Sequence, residues 1–407
     1  MKESVKKRIE AVRRGEVPEG YGMERAMLFP NEWGKPVALA TVLSENKERN
    51  EDLRFGKDDV LSVSGEQGIV NQIDLLGRSY AGESVAPYHI VETGDVVYTK
   101  SPLKENPYGI IKQNRGVPGI VSTLYAVYHC SSPVTGQYVE NYFCIDSFLN
   151  NYLKPLVKRG AKNDMKVNNE DVLLGRIPLP PIQEQKRINE ILAQYDRMTE
   201  LKQKLLEEKH KTFRYIMTLL FERSDVYTAL GRIAKITMGQ SPDSSSYNTD
   251  EDGVPLLQGN ADIINRFPAP RYYTNQPTKM CMPGDLLLSV RAPVGEVSRS
   301  NLTACIGRGL CAISAGKFTE YIFYYLRYYE PKWNKISQGS TFTAISGDDI
   351  KKVQVPVFDD TTLVHNGDIL RCADNEIRLL QQEIEAWQQQ KKALMQLLLT
   401  GLVRVNT

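Results

Sequence analysis

The sequence holds no uninterrupted apolar run of about 18 residues, so no segment is long and greasy enough to cross a bilayer as a helix. Its start, MKESVKKRIE, is charged and amphipathic and has no apolar core of the kind that directs secretion. The six cysteines (Cys130, Cys144, Cys281, Cys305, Cys311, Cys372) never fall in CxxC or CxH spacing. They are therefore expected to be free thiols of a cytoplasmic chain, with no zinc site and no disulfide framework. Only four histidines are present, none spaced as HExxH. Charge of one sign is also missing. The 51 Lys+Arg nearly cancel the 49 Asp+Glu, so a net charge of +2 gives no bulk pull on nucleic acid. Any basic surface must come from local segregation.

Catalytic signatures are equally scarce. A phosphate cradle of the GxxxxGK[ST] type finds only a loose echo at Ala315-Gly316-Lys317-Phe318, with Cys311 in place of the first glycine. Gly307-Arg308-Gly309 lacks the third glycine of a dinucleotide or methyl-donor turn. Leu179-Pro180-Pro181-Ile182 has neither end of the loop expected of an amino-methyltransferase acting on nucleic acid. The triplets Glu45-Asn46-Lys47 and Glu207-Glu208-Lys209 fit a short nuclease element, yet no partner aspartate stands at a telling distance.

What the chain does contain is itself, twice. With 407 residues, 41% hydrophobic and 25% charged, it has the composition of a globular protein of two or three domains. Residues 172–178 (VLLGRIP) match 350–356 (IKKVQVP) at an offset of 178, and a long helical segment follows each. Ile191, Leu192 and Asp196 match Ile369, Leu370 and Asp374 at the same offset, as Met217 matches Met395. Upstream, Gly94-Asp95 matches Gly284-Asp285 at an offset of 190. Such a duplication is domain-sized, far beyond a repeat period of about 20–50 residues.

The expected organisation is an N-terminal segment 1–28, a globular domain 29–181, a helix 182–223, a second globular domain 224–358 and a second helix 359–407. The second helix has a heptad seam through Leu370, Ala373, Ile377, Leu380, Ile384, Trp387, Leu394 and Leu398, with Lys391 as its polar occupant. Asp359, Asp360 and Thr361 are N-cap candidates, and Gly401 is the stop. The seam of the first helix (Leu192, Tyr195, Leu206, Phe213, Ile216, Leu220) is broken by Thr199, Lys202 and Lys209. Matched period and phase predict antiparallel packing of the two. At about 1.5 Å per residue, a helix of about 40 residues spans about 60 Å. Within the globular domains, residues 94–99, 120–127, 285–290 and 310–313 read as strands, and 139–156 and 320–329 as aromatic-rich helices packed on a sheet.

Polar and basic loops interrupt these strands and are the candidate DNA contacts. In the first domain they hold Lys100, Lys104, Lys112, Asn114, Arg115, Lys158, Arg159 and Lys162. In the second they hold Gln240, Ser241, Gln258, Asn260, Arg291, Arg299, Arg308, Gln338, Ser340 and Thr341. Arginine and lysine reach phosphates and guanine edges, while asparagine and glutamine read adenine.

This organisation resembles the DNA-specificity subunit (HsdS) of type I restriction–modification systems. The likeness rests on residues 176–185 (RIPLPPIQEQ) leading into 186–196, on 230–242 (LGRIAKITMGQSP), on 284–289 (GDLLLS), on 339–346 (GSTFTAIS) and on 353–356 (VQVP). Residues 355–360 depart from it, lacking the fuller Pro-Leu-Pro-Pro string before the second helix. The resemblance implies an α+β fold with two target-recognition domains separated by two long antiparallel coiled-coil helices. It further implies a non-catalytic cytoplasmic subunit that binds double-stranded DNA, each domain reading half of a bipartite asymmetric site. The helices would set the gap and dock two methyltransferase subunits, joined by restriction and translocase subunits. S-adenosylmethionine, ATP and magnesium would belong to those partners and not to this chain. A stand-alone nuclease or methyltransferase and a protein-binding adaptor are the competing expectations.

Overall fold

The computed structural model describes residues 3–100, 105–157, 167–338 and 344–405, without the side chains of 334–338. The chain divides into two compact units, one of Met1–Leu201 with Glu385–Thr407 and the other of Lys202–Ile384. The fold is α+β, and each unit repeats one frame.

In the first unit a four-stranded antiparallel sheet runs in the order Leu43–Asn46, Tyr125–Cys130, Val96–Thr99, Ile110–Gln113. In the second unit the same order recurs as Lys235–Met238, Leu310–Ser314, Leu286–Ser289, Val297–Arg299. The duplicated Gly-Asp explains part of this identity. Gly94 (φ 98°) and Gly284 (φ 91°) turn the chain in the left-handed region that a Cβ disfavours. The aspartate that follows then fixes the turn. Asp95 accepts the Glu92 amide at 2.9 Å, and Asp285 accepts the Met282 amide at 2.8 Å. A small two-stranded sheet also recurs, Val37–Ala38 with Arg176–Ile177 and Tyr227–Ala229 with Gln354–Pro356.

Three expected elements differ from the observed ones. The segment 120–127 is two strands, Gly119–Val121 and Tyr125–Cys130, because the chain turns where the Tyr125 amide bonds the Ser122 carbonyl at 3.0 Å. The segment 139–156 is two helices, Gly136–Phe143 and Asp146–Leu153, broken at Ile145, which is extended (φ −91°, ψ 109°). Only the second half of each proline-closed repeat is strand: in the first copy the helix Asn169–Val172 ends and the chain turns before Arg176, and in the second the helix Gly347–Lys352 fills the first half. The tyrosine-rich segment lies in one helix, Thr319–Gln338, with Pro331 inside it. Its aromatic face is core, as expected, yet it packs on the first long helix as well as on the sheet. Phe221 stacks edge-on against Tyr321 and Tyr325 at 5.5 and 5.3 Å, and the buried Tyr321 hydroxyl donates to the Pro356 carbonyl at 2.9 Å.

The long helices span Ile182–Glu222 and Asp360–Leu399. Asp359 is the cap of the second: its carboxylate accepts the Thr362 amide at 3.0 Å. Gly401 (φ 68°) ends it, its amide bonding the Leu398 carbonyl at 3.0 Å. Each long helix contributes one part to each unit. In the first unit Ile188 and Leu192 share a core with Met395 and Leu398, Tyr195 meets Trp387 at 5.1 Å, and Asp196 pairs with Lys391. In the second unit Leu206 and Phe213 share a core with Leu370, Ile377, Leu380 and Ile384. Rising numbers on one helix meet falling numbers on the other, so the pairing is antiparallel in both. The polar interruptions of the seam have partners: Lys202 pairs with Glu383 at 2.7 Å and Lys209 with Glu376 at 2.6 Å. Thr199 bonds back to the Tyr195 carbonyl at 2.9 Å.

Candidate nucleic-acid interface

Four loops of the second unit converge on one open cavity of about 230 Å³. Ser241 follows the strand Lys235–Met238, where the amides of Gly239 and Gln240 bond the carbonyls of Leu310 and Ile306, both at 2.9 Å. Its hydroxyl accepts the Arg308 amide at 3.2 Å, tying the first loop to the second. Gln258-Gly259-Asn260 follows the strand Val254–Leu257. The buried carboxylate of Asp262 holds this loop, accepting the Gln258 amide at 2.7 Å and the Arg271 guanidinium at 2.8 Å. Gly309 closes against it, its amide bonding the Gln258 carbonyl at 3.1 Å, and a side chain at 309 would collide with that carbonyl. Arg291 follows the strand Leu286–Ser289, and the Ser289 hydroxyl donates to the carbonyls of Arg291 and Pro293 at 2.9 and 2.6 Å.

Five expected contacts thus line one cavity: Ser241, Gln258, Asn260, Arg291 and Arg308. Arg291 and Arg308 are exposed, and no carboxylate pairs with either guanidinium among the described residues. The Asn260 amide bonds Glu296, and Gln240 is exposed beside the first loop. Such a cleft offers donors to phosphate or to guanine, and amides to adenine. Ser289 also lines it. Sequence reasoning missed this residue, although it ends the GDLLLS segment, two residues before Arg291.

Other expected contacts belong to the fold instead. Lys112 is 9% exposed, lies 3.8 Å from Glu140 and donates to the Cys144 sulfur. Arg115 pairs with the same buried carboxylate at 2.8 Å. Asn114, 1% exposed, donates to the carbonyls of Glu92 and Val117 and accepts the Gly116 amide, so it braces its own loop. Arg299 pairs with Glu320 at 2.6 Å and lies 3.5 Å over the Phe323 ring. These four were expected to face DNA because their loops read as polar; a polar loop around a buried carboxylate or ring gives the same sequence signal. Lys100 is half-buried and lines a separate polar cleft with Glu45, Lys47 and Glu170. Lys104, Lys158, Arg159, Lys162, Ser340 and Thr341, and the side chain of Gln338, lie outside the described residues.

The common frame shows what occupies the matching places in the first unit. The parallel pairing of Leu256 with Cys305 has its equivalent in the parallel bridge of Val60 with Ile120. After that point the first unit builds a hairpin, Leu61–Ser64 with Gly68–Asn71, where the second unit opens into Gln258-Gly259-Asn260. The turn Gly307-Arg308-Gly309 before Leu310 matches Ser122-Thr123-Leu124 before Tyr125, closed by the same amide-to-carbonyl bond at 3.1 and 3.0 Å. Leu124 there is 64% exposed. Thr123 and Leu124 escape a search for polar clusters; carrying the Gly-Asp alignment forward through the sheet register finds them.

The nucleophile inventory is quiet. Burial pushes the thiols of Cys130 and Cys311 up to about 12, away from reactive thiolates. His129 Nδ1 lies 2.6 Å from Asp95, and burial raises the Asp95 carboxyl. Among the described residues no group of three His, Cys, Asp or Glu could hold a metal, and no helix is long and apolar enough to cross a membrane.

Comparison with known proteins agrees with this frame. A Methanocaldococcus jannaschii protein named as specificity subunit of the type I restriction enzyme MjaX is 36% identical over 280 residues, 63% of this chain and 66% of its own length. The MjaVIII specificity subunit of the same organism is 24% identical over 268 residues, 57% of this chain and 63% of its own length. The matched stretches thus span just under two-thirds of these relatives. In structure, the HsdS subunit from Thermoanaerobacter tengcongensis covers 95% of this chain and 98% of its own, with a TM-score of 0.53 at 23% identity. A chain from work on complex assembly and conformational transition of the type I R-M system covers 95% of this chain and 100% of its own, with a TM-score of 0.60 at 22% identity. The pattern of the family described as type I restriction modification DNA specificity domain matches residues 92–208 and 227–387, well over half of the sequence, and the chain belongs to that family.

Proposed function

We propose that this chain is the sequence-reading subunit of a type I restriction–modification complex, each globular unit reading one half of a bipartite, asymmetric site in double-stranded DNA. One observation carries the reading: two copies of one frame differ at the same two places, the loop after the parallel strand and the turn before the central strand. Arg308 stands in that turn in one copy, and Thr123 with exposed Leu124 in the other. Arginine suits guanine, and an exposed apolar side chain suits the thymine methyl. A duplicated frame with different loops suits a site whose halves differ.

In this reading the working domains are 29–181 and 224–358, with 1–28 as an N-terminal segment. The helices 182–223 and 359–407 act as spacers that set the gap and dock two methyltransferase subunits. Restriction and translocase subunits complete the complex in the cytoplasm. The chain itself needs no cofactor; S-adenosylmethionine, ATP and magnesium serve the partner subunits, and base flipping is their work.

The test is methylome sequencing of a host that carries this chain with its modification subunit. A split motif is expected, and Arg308→Ala relaxes one half of it only. An unsplit motif, or a change in both halves, overturns the reading.

A further inference from the structure

A cavity of about 570 Å³ opens in the first unit. It lies between the N-terminal hairpin, Tyr21–Glu24 with Met27–Pro30, and the helix Asp146–Leu153. Buried Tyr142, Tyr152 and Leu399 of the unit's core reach its floor. Its rim leaves two large apolar side chains in water, Met23 at 51% and Leu174 at 65% exposure. Exposed apolar surface that joins a cavity marks a place where something docks.

The charge on the rim says what kind of thing. Arg25, Lys154 and Arg176 line the cavity, and among the described residues none that lines it is acidic. Arg25 and Lys154 have no ion-pair partner among the described residues, while Arg176 donates to the Pro36 carbonyl at 3.0 Å. Arg25 and Ala26 both hold positive φ (48° and 67°), a conformation that side chains rarely adopt and that keeps the hairpin tip on the rim. The Tyr152 hydroxyl of the floor is already committed, donating to the Val172 carbonyl. A small ligand would find little to orient it, whereas an amphipathic helix needs only an apolar trough and flanking countercharge.

We infer that this groove docks a helix of a protein partner, apolar on the buried face and flanked by carboxylates. Among the described residues, the second unit has a long helix and not a hairpin ahead of its small two-stranded sheet, so this docking place is found in the first unit. It is thus distinct from anything that the duplicated frame offers twice.

The test uses the full chain and a fluorescent designed helix of roughly five turns, with leucines on one face and glutamates beside them. It is expected to bind the native chain at least about tenfold more tightly than the same helix carrying lysines in place of the glutamates. Met23→Asp with Arg25→Glu should weaken binding by about tenfold or more. These two positions are exposed, so unfolding curves should match the native chain. Lys154→Glu with Leu174→Asp on the opposite rim provides a second variant with the same expectation. Equal binding of both peptides, or binding untouched by both variants, overturns the inference. So does sedimentation showing a dimer of the native chain that the variants abolish, because a second copy would then be the occupant. Displacement of the peptide by a DNA duplex overturns it in favour of nucleic acid.

Discussion

The two globular units carry similar frames to different ends. In the second unit, Arg291 and Arg308 point unpaired guanidinia into an open cleft. In the first, Lys112 and Arg115 come from an equally basic loop and converge on Glu140, which is 6% exposed. Basic residues next to a strand end therefore do two jobs in one chain. The deciding factor is a buried carboxylate nearby. Where one is present, the cations satisfy it, because an uncompensated buried charge costs several kcal/mol. Where the nearby buried carboxylate is already satisfied, as Asp262 is by Arg271 and the Gln258 amide, the remaining cations stay in water and are free for an external anion.

The largest expected effect tests the inward half of that contrast. Glu140→Ala strands Lys112 in a desolvated site and should lower the unfolding free energy by about 3–5 kcal/mol, read from urea denaturation of the full chain. At a temperature where the variant stays folded, the methylated motif should not change. A changed motif with native stability would mean that the Lys112 loop faces DNA after all. Next in size are Arg308→Ala and Arg291→Ala in the outward half. Loss of a good base or phosphate contact costs about 1–3 kcal/mol, a roughly five- to 150-fold loss of affinity, read by equilibrium binding to the native site at fixed salt. Urea denaturation should show native stability for both. If either destabilises the chain as Glu140→Ala does, the basic residues of the two units do the same job.

Much of this architecture is legible in the sequence because it rests on local chemistry repeated twice. Gly94-Asp95 and Gly284-Asp285 announce the same turn, and the heptad of Leu370 through Leu398 announces its helix. The direction of a side chain is not local. Asn114 and Asn260 look alike as loop amides, yet one is sealed under Glu92 and Val117 and the other lines the cleft. Burial is decided by a carboxylate or ring from elsewhere in the chain, and a loop's composition carries no trace of it. The break at Ile145 is similar, since an apolar pattern continuous through 139–156 does not register that the backbone extends there.

The smallest effect concerns the seam that looked weak. Lys202 and Lys209 interrupt the heptad of the first long helix, yet each has a glutamate opposite, Glu383 and Glu376. The pairs are partly exposed, the Lys209 side chain at 35% and Glu376 at 57%, so solvent screens them to about 0.2–1 kcal/mol each. Lys209→Leu should therefore leave stability unchanged or raise it by up to about 1 kcal/mol, since the seam gains apolar area in place of a weak pair. Glu376→Lys should lower stability by a similar amount through like-charge contact, and Lys209→Glu with Glu376→Lys should restore it. Raising the salt to about 1 M, where the screening length is about 3 Å, should erase the difference between the native and charge-reversed chains but leave the leucine variant where it was. A loss of several kcal/mol on Lys209→Leu would instead place this lysine with Lys112, as a cation that the fold cannot do without.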